Sequence, residues 1–326
     1  MIIIEDLLIA LVGGMVLDFI FGDPPNSCHP VAWLGRVIEF FLPNLKSNDN
    51  SPRREKINGI IFSISLISIF GIAIHIGTLT VLHMFGLIYF IILCSVILKI
   101  SIAIKGMEKH AKAIMTELAR NDLSAAQQNL SLIVRRDTKS LDEQHVLSGT
   151  VECIGESLVD GINSSLFYYS FLGPAGSFAF RIVNTLDSML GYHDDYYDNI
   201  GWMSARIDTI ANYVPARITA LLMLLAVKLL GADWRTSVEI LRRDHNKTYS
   251  PNAGFPMAIL AGALRIRLEK IGYYSLGEQY ELLSIDKCRM AISIMKLTAV
   301  LFSMIFSAPL IAVLYFVGWW RLLFGV

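Results

Sequence analysis

The chain has 326 residues, 54% of them hydrophobic and 17% charged, with a mean hydropathy of +0.53. That is too apolar for an ordinary soluble domain and too charged for a chain made only of membrane spans. Its 28 basic residues balance 28 acidic ones, so nothing in the total points to a nucleic-acid partner.

In chain order, residues 2–21 form an apolar run carrying only Glu5, Asp6 and Asp18, with no basic stretch before it. It is expected as a retained first span, not a cleaved signal. The span ends in "LDFIFGDPPNSCHPVAWLGR", where GDPP predicts a rigid turn and Asp18, Asp23 and His29 are candidate ligands or bases. From Ile57 to Leu98 there is no Asp, Glu, Lys or Arg. That is enough chain for two helices of about 20 residues across a core of roughly 30 Å, with a turn near His83–Gly86. These spans are expected at about 57–79 and 84–104.

Residues 105–160 read as a water-facing helical portion. Residues 101–120 place apolar and basic side chains at helical spacing, and "NDLSAAQQNLSLIV" makes a short helix capped by Asp122 or Ser124. "SLDE" (140–143) predicts a capping box that opens a third helix running to about Asp160. Segments 161–181 and 216–231 are apolar but interrupted or closely flanked by charge, and fit short or re-entrant helices. A last span is expected at 293–320, ending in "GWW" and Arg321 as an interface anchor. No stretch alternates with period two. The expected class is an all-α polytopic membrane protein, one domain with at least four transmembrane helices. Basic residues at 22–56, 99–160 and 232–290 predict that these segments face the cytoplasm. The four cysteines lie far apart with no C-x-x-C pair, so neither a disulfide framework nor a zinc site is expected.

Five stretches carry the polar chemistry. Beyond the first, around Asp23 and His29, "LIVRRDTKSLDE" offers Arg135 and Arg136 for bidentate phosphate or carboxylate recognition. In "VECIGESLVDG", Glu152, Glu156 and Asp160 recur at i, i+4 and i+8 and line one helix face. Carboxylates held together near a membrane need a metal ion or an arginine. The fourth stretch runs from "RIVNTLDSMLGY" to "ARIDTIANYVPAR". It sets Arg181, Asn184 and Asp187 against Asp208 and Asn212, two Asn/Asp pairs of the kind that serve hard cations such as Mg²⁺. The fifth, "RRDHNKTYSPNAGFP", contains Arg242, Arg243 and Asp244, then Ser250 and Asn252 in a turn that opens a helix, where an anion can bind.

Taken in order, "LDFIFGDPPNSCHPV", "RRDTKSLDE", "ECIGESLVDG", "RIVNTLDSMLGY", "ARIDTIANYVPAR" and "RRDHNKTYSPNAGFP" resemble the adenosylcobinamide-phosphate synthase family of cobalamin biosynthesis. Ser157 stands where members commonly carry Asn, Ser165 where Pro is usual, and Thr209 where a second Asp often follows Asp208. The resemblance implies a multi-pass enzyme of the cytoplasmic membrane with its active face toward the cytoplasm. It implies amide ligation of adenosylcobyric acid with an aminoalcohol phosphate, typically 1-aminopropan-2-ol O-phosphate, with ATP as co-substrate and Mg²⁺. It also implies association with later membrane enzymes of cobalamin assembly.

On that reading Asp187, Glu152, Glu156 and Asp208 are the catalytic candidates. Arg135, Arg136, Arg181, Asn184, Arg242, Arg243, Ser250 and Asn252 are the substrate and phosphate candidates. Asp23, His29, Asp160, Asn212 and Asp244 are further candidates, and Glu156, Asp160 and Asp187 are the expected Mg²⁺ ligands. No familiar nucleotide motif is present. Two rivals remain at this level. A transporter would carry ionisable groups at mid-membrane depth, where the clear spans have none. A non-catalytic sensor on the same scaffold would be expected to lose the polar stretches, and all five are kept.

Overall fold

The computed structural model describes residues 3–24, 27–46, 51–192 and 194–325. The expected GDPP turn includes Pro25, which lies outside the described residues. The chain, taken above as one domain, divides into two compact units: residues 1–103, 164–212 and 303–326, and residues 104–163 and 213–302.

The first unit contains α1 (Ile4–Phe21), α2 (Pro30–Leu45), α3 (Pro52–Phe85) and α4 (Leu87–Ser101). Later in the chain it adds α8 (Ser164–Leu190), α9 (Trp202–Ala211), α14 (Ala308–Phe316) and α15 (Trp319–Phe324). Helix α3 begins on Ser51, whose hydroxyl accepts from the Arg54 N–H, with Pro52 in its first turn. It ends on Gly86, whose φ of +89° suits a residue without Cβ. The expected hairpin turn is therefore there. Helices α1 and α4 pack backbone to side chain: a Cβ on Gly14 would run into Leu98, and the Ser95 hydroxyl donates to the Ala10 carbonyl. Small residues at a contact are how helices approach closely in lipid. Leu34, Ile38, Leu66, Ile97, Phe178, Ile182, Leu186 and Leu190 form the core around α8. Gly173 (φ +62°) and Pro174 kink α8 within the "GPAG" sequence.

The second unit contains α5 (Ile104–Ala119), α6 (Leu123–Ser131), α7 (Glu143–Ser157), α10 (Tyr213–Leu229), α11 (Trp234–Asp244), α12 (Gly254–Ala263) and α13 (Ile285–Leu301). Helix α6 is capped by Asp122, one of the two residues expected for that role. Helix α12 is buried along nearly its whole length and packs on α7, α10 and α11.

Three expectations need correction. The class is not purely α: β1 (Arg267–Lys270) and β2 (Tyr274–Gly277) pair antiparallel, with buried Leu268 opposite Leu276. Four-residue strands are too short to display period two in a sequence window. Helix α7 is capped by Asp142, which accepts from the His145 N–H, and not by the 140–143 box. The "GWW" element is not simply an interface anchor. Gly318, at φ +80°, turns the chain so that Trp320 is buried, stacks on Phe324 and donates to the Ile311 carbonyl.

Among the described residues, three helices are long and apolar enough to cross a membrane: Pro52–Phe85, Leu87–Ala119 and Ile285–Phe316. A fourth counts if Trp202–Ala211 and Tyr213–Leu229, separated by Asn212, form one broken span. Of residues 2–21, expected as a span, Ile4–Phe21 fold as α1, which falls outside this set. Glu5, Asp6 and Asp18 all lie within its 18 residues, and Asp6 and Asp18 are buried.

Candidate functional site

In the second unit, the candidate residues gather around α7. Glu152 is buried and fully engaged. Ser148 Oγ donates to its Oε1 at 2.7 Å, Tyr274 OH donates to Oε2 at 2.9 Å, and Arg136 Nη2 lies 3.3 Å from Oε2. Ser148 in turn accepts from the Glu269 N–H at 2.9 Å, which ties the helix to the hairpin. Gly149 lets Arg136 lie across α7, since a Cβ there would collide with the guanidinium.

One turn on, Glu156 keeps some contact with solvent and receives no such set of donors. Burial and the Glu152 carboxylate push it up to about 7, against the opposing pull of Lys270 and Arg136. Burial and the two glutamates push Tyr274 well above its ordinary range, so it stays protonated and remains a donor. Asp160 does not continue the i, i+4, i+8 face. From Leu158 to Asn163 the helix widens into a π turn, which shifts every later side chain round the axis.

Elsewhere in this unit, Asp244 is fully buried and receives Arg243 through two hydrogen bonds of 2.8 and 3.0 Å, Lys247 at 2.6 Å and the Gly277 N–H at 2.8 Å. Burial alone would raise its pKa, but these donors hold it down to about 2. Arg243 is also paired with Glu278, so the "RRD" triplet pins α11 to β2, while Arg242 is exposed. Arg135 is exposed as well. Asn252 is buried and its Oδ1 accepts from Arg217 Nη1 at 2.8 Å, with the guanidinium stacked on Tyr213 and facing Phe255. Ser250 Oγ accepts from the N–H groups of Asn252 and Ala253 at 3.3 and 3.4 Å, building the turn before α12.

In the first unit, His29 is buried and caps α2, its Nδ1 accepting from the Val31 N–H at 3.1 Å. That leaves Nε2 to donate to Asp23 Oδ1, 3.5 Å away. Burial disfavours the Asp23 charge, but His29, then Arg181 and Lys99, hold its carboxyl below the usual range. Arg181 Nη1 donates to Asn184 Oδ1 at 3.4 Å and is attracted by both Asp18 and Asp23. Asp208 accepts from Asn212 Nδ2 at 3.0 Å, is reached by Asn184 and lies close enough to Asp187 for the two carboxylates to repel. Its Oδ1 is buried with no hydrogen-bond partner.

Each unit thus brings some candidates together: Arg136, Glu152 and Glu156 in the second, and Asp23, His29, Arg181, Asn184, Asp187, Asp208 and Asn212 in the first. Of the expected Mg²⁺ ligands, Glu156 and Asp160 belong to the second unit and Asp187 to the first. Among the described residues no three His, Cys, Asp or Glu side chains gather as a metal cage. The paired carboxylates of Asp187 and Asp208 fit a cation that keeps water and substrate oxygens as its other ligands. Sequence reasoning missed Ser148, Lys270, Tyr274 and Lys99. Tyr274 and Lys270 sit on a hairpin over a hundred positions from Glu152, and nothing in the sequence pairs them.

The family described as CobD/Cbib protein matches residues 11–304. A probable cobalamin biosynthesis protein CobD of Methanothermobacter thermautotrophicus is 38% identical over 290 residues, covering 89% of this chain and 93% of the relative. The cobalamin biosynthesis protein CobD of Dehalococcoides mccartyi is 37% identical over 274 residues, with 84% and 87% covered. That of Leptospira interrogans is 37% identical over 261 residues, with 80% and 82% covered. No solved structure matches. With the match running through both units and all five polar stretches, the chain belongs to the CobD/Cbib protein family.

Proposed function

We propose that the chain is an adenosylcobinamide-phosphate synthase. On this reading it is a membrane ligase of cobalamin biosynthesis that joins adenosylcobyric acid to 1-aminopropan-2-ol O-phosphate through an amide bond, consuming ATP. The family match over residues 11–304, with relatives named for cobalamin biosynthesis, carries this reading.

A carboxylate does not acylate an amine directly. The acid is first phosphorylated by the γ-phosphoryl group of ATP, releasing ADP. The amine then attacks the acyl carbon, orthophosphate leaves, and the proton of the former ammonium passes to a base. Glu156, at about 7, suits that base, because its pKa lies near the working pH. Glu152, saturated by three donors, positions Arg136 and Tyr274 instead. Arg136 supplies a guanidinium for phosphate oxygens. In the first unit Asp187 and Asp208, with Asn184, would hold Mg²⁺, since a divalent cation relieves both their repulsion and the unpartnered Asp208 oxygen. When bound, Mg²⁺ would supply charge neutralisation to phosphate oxygens. The enzyme works, on this reading, in the cytoplasmic membrane with its chemistry on the side where ATP is made.

The test is ligation by the detergent-purified chain given ATP, Mg²⁺, adenosylcobyric acid and 1-aminopropan-2-ol O-phosphate, with the amide product followed by mass spectrometry. Intact, well-folded protein that neither forms product nor consumes ATP with both substrates present would sink the reading.

A further inference from the structure

We infer that the cavity between α6 and the 136–139 loop is a subsite for the phosphate group of a small hydrophilic ester or anhydride. The cavity measures about 680 Å³, within the range of small-molecule sites. None of its lining side chains is aromatic or wholly aliphatic, so it offers nothing for a corrin ring or a nucleobase to pack on. It offers cations and hydrogen-bond donors, Arg136 and Lys139 on the loop with Ser124, Gln128 and Ser131 along α6, against one carboxylate, Asp137.

Arg136 is held in place by Glu152 and by Gly149, over which it lies. Its buried Nε has no hydrogen-bond partner. Lys139 makes no ion pair among the described residues, and its N–H donates to Asp137 Oδ1 at 3.0 Å, which shapes the loop. A rigid guanidinium, a mobile ammonium and several hydroxyl and amide donors around one space suit phosphate oxygens. Because Arg136 also contacts Glu152, a phosphate bound here is linked through one side chain to the Glu156 cluster.

The inference rests on the synthase reading only for its two candidate sources, the phosphates of ATP and that of the aminoalcohol phosphate. Calorimetric titration of the detergent-purified full chain with ATP, with 1-aminopropan-2-ol O-phosphate and with inorganic phosphate tests it, using wild type, Lys139→Glu and Gln128→Glu. Both altered residues are exposed, so melting temperatures are expected to be unchanged. At least one compound should bind wild type and weaken tenfold or more in both variants. Loss for ATP alone assigns the site to the nucleotide, loss for the aminoalcohol phosphate alone to that substrate, and loss for both, with inorganic phosphate following, to a shared phosphate site. Affinities that do not change in either variant, or no binding to wild type, would overturn the subsite. If wild type binds phosphate compounds in a Lys139-dependent way yet forms no amide product, the subsite stands and the synthase reading falls.

Discussion

Glu152 and Glu156 are one helical turn apart, yet the donors around them divide their roles. Glu152 has three donors inside the protein, while Glu156 shares its field without sharing its partners. A carboxyl whose folded-state pKa is about 7 instead of the ordinary 4.5 holds its proton more tightly when folded. The stability it contributes is full below about pH 4.5 and is lost as pH rises through about 7. Melting of the wild type is therefore expected to fall by several degrees between pH 5 and pH 8, and Glu156→Gln should flatten that fall. The same variant should lower turnover by about 10²–10⁴-fold, the usual contribution of a general base. A pH dependence of melting identical in the two proteins would remove the carboxyl from this role. In the first unit, Asp187→Asn removes one of two repelling charges. Turnover is expected to drop and the Mg²⁺ requirement to rise while melting holds or improves. Lost stability with an unaltered Mg²⁺ titration would mark Asp187 as structural.

At the scale of elements, the β1–β2 hairpin delivers Tyr274 and Lys270 to α7, and Asp244 holds that hairpin to α11 through the Gly277 N–H. Asp244→Asn keeps the shape but leaves Arg243 and Lys247 without their buried partner. Both cations reach solvent, so the expected loss is on the order of 3 kcal/mol, at the low end for a broken buried pair. Chemical denaturation in detergent measures it. A change below about 0.5 kcal/mol would make the node a surface feature. Activity should fall with it, because Tyr274 loses its register. Helix α3 shows another element-scale constraint. Its 34 residues at about 1.5 Å each run for about 51 Å, well beyond a hydrocarbon core of roughly 30 Å, so its charged N-terminal turns lie outside that core.

For the whole molecule, the exposed surface of α3 is the decisive feature. Ile61, Ile64, Ile69, Ile72 and Ile76 all point outward, and only 17% of its apolar window is buried. Such a surface is stable against lipid and not against water. Membranes containing the protein should retain it through alkaline carbonate and high-salt washes and release it only to detergent. Release by carbonate would refute the spanning reading. A transporter would place its ionisable residues along a path through the spans. The buried carboxylate within Leu87–Ala119, Glu108, is neutralised instead by Lys112 and Lys296, both at 2.7 Å.

The sequence alone determined what depends on composition and local spacing. The uncharged run from Ile57 to Leu98 required a helical hairpin, Gly86 turned it, and Asp122 capped α6, because lipid demands internally satisfied backbone and caps act within one turn. The ordered polar motifs were enough to indicate the family. Only the tertiary structure decided which carboxyl is pushed up, because that depends on Tyr274 and Arg136 arriving from other segments to satisfy Glu152, while Glu156 receives no such donors. It likewise paired Arg243, a candidate phosphate ligand, with Asp244 and Glu278, and turned Asp160 off the shared face through a π turn. A pKa is set by everything within a few ångströms, and in a folded chain that neighbourhood is assembled by packing between segments far apart in sequence.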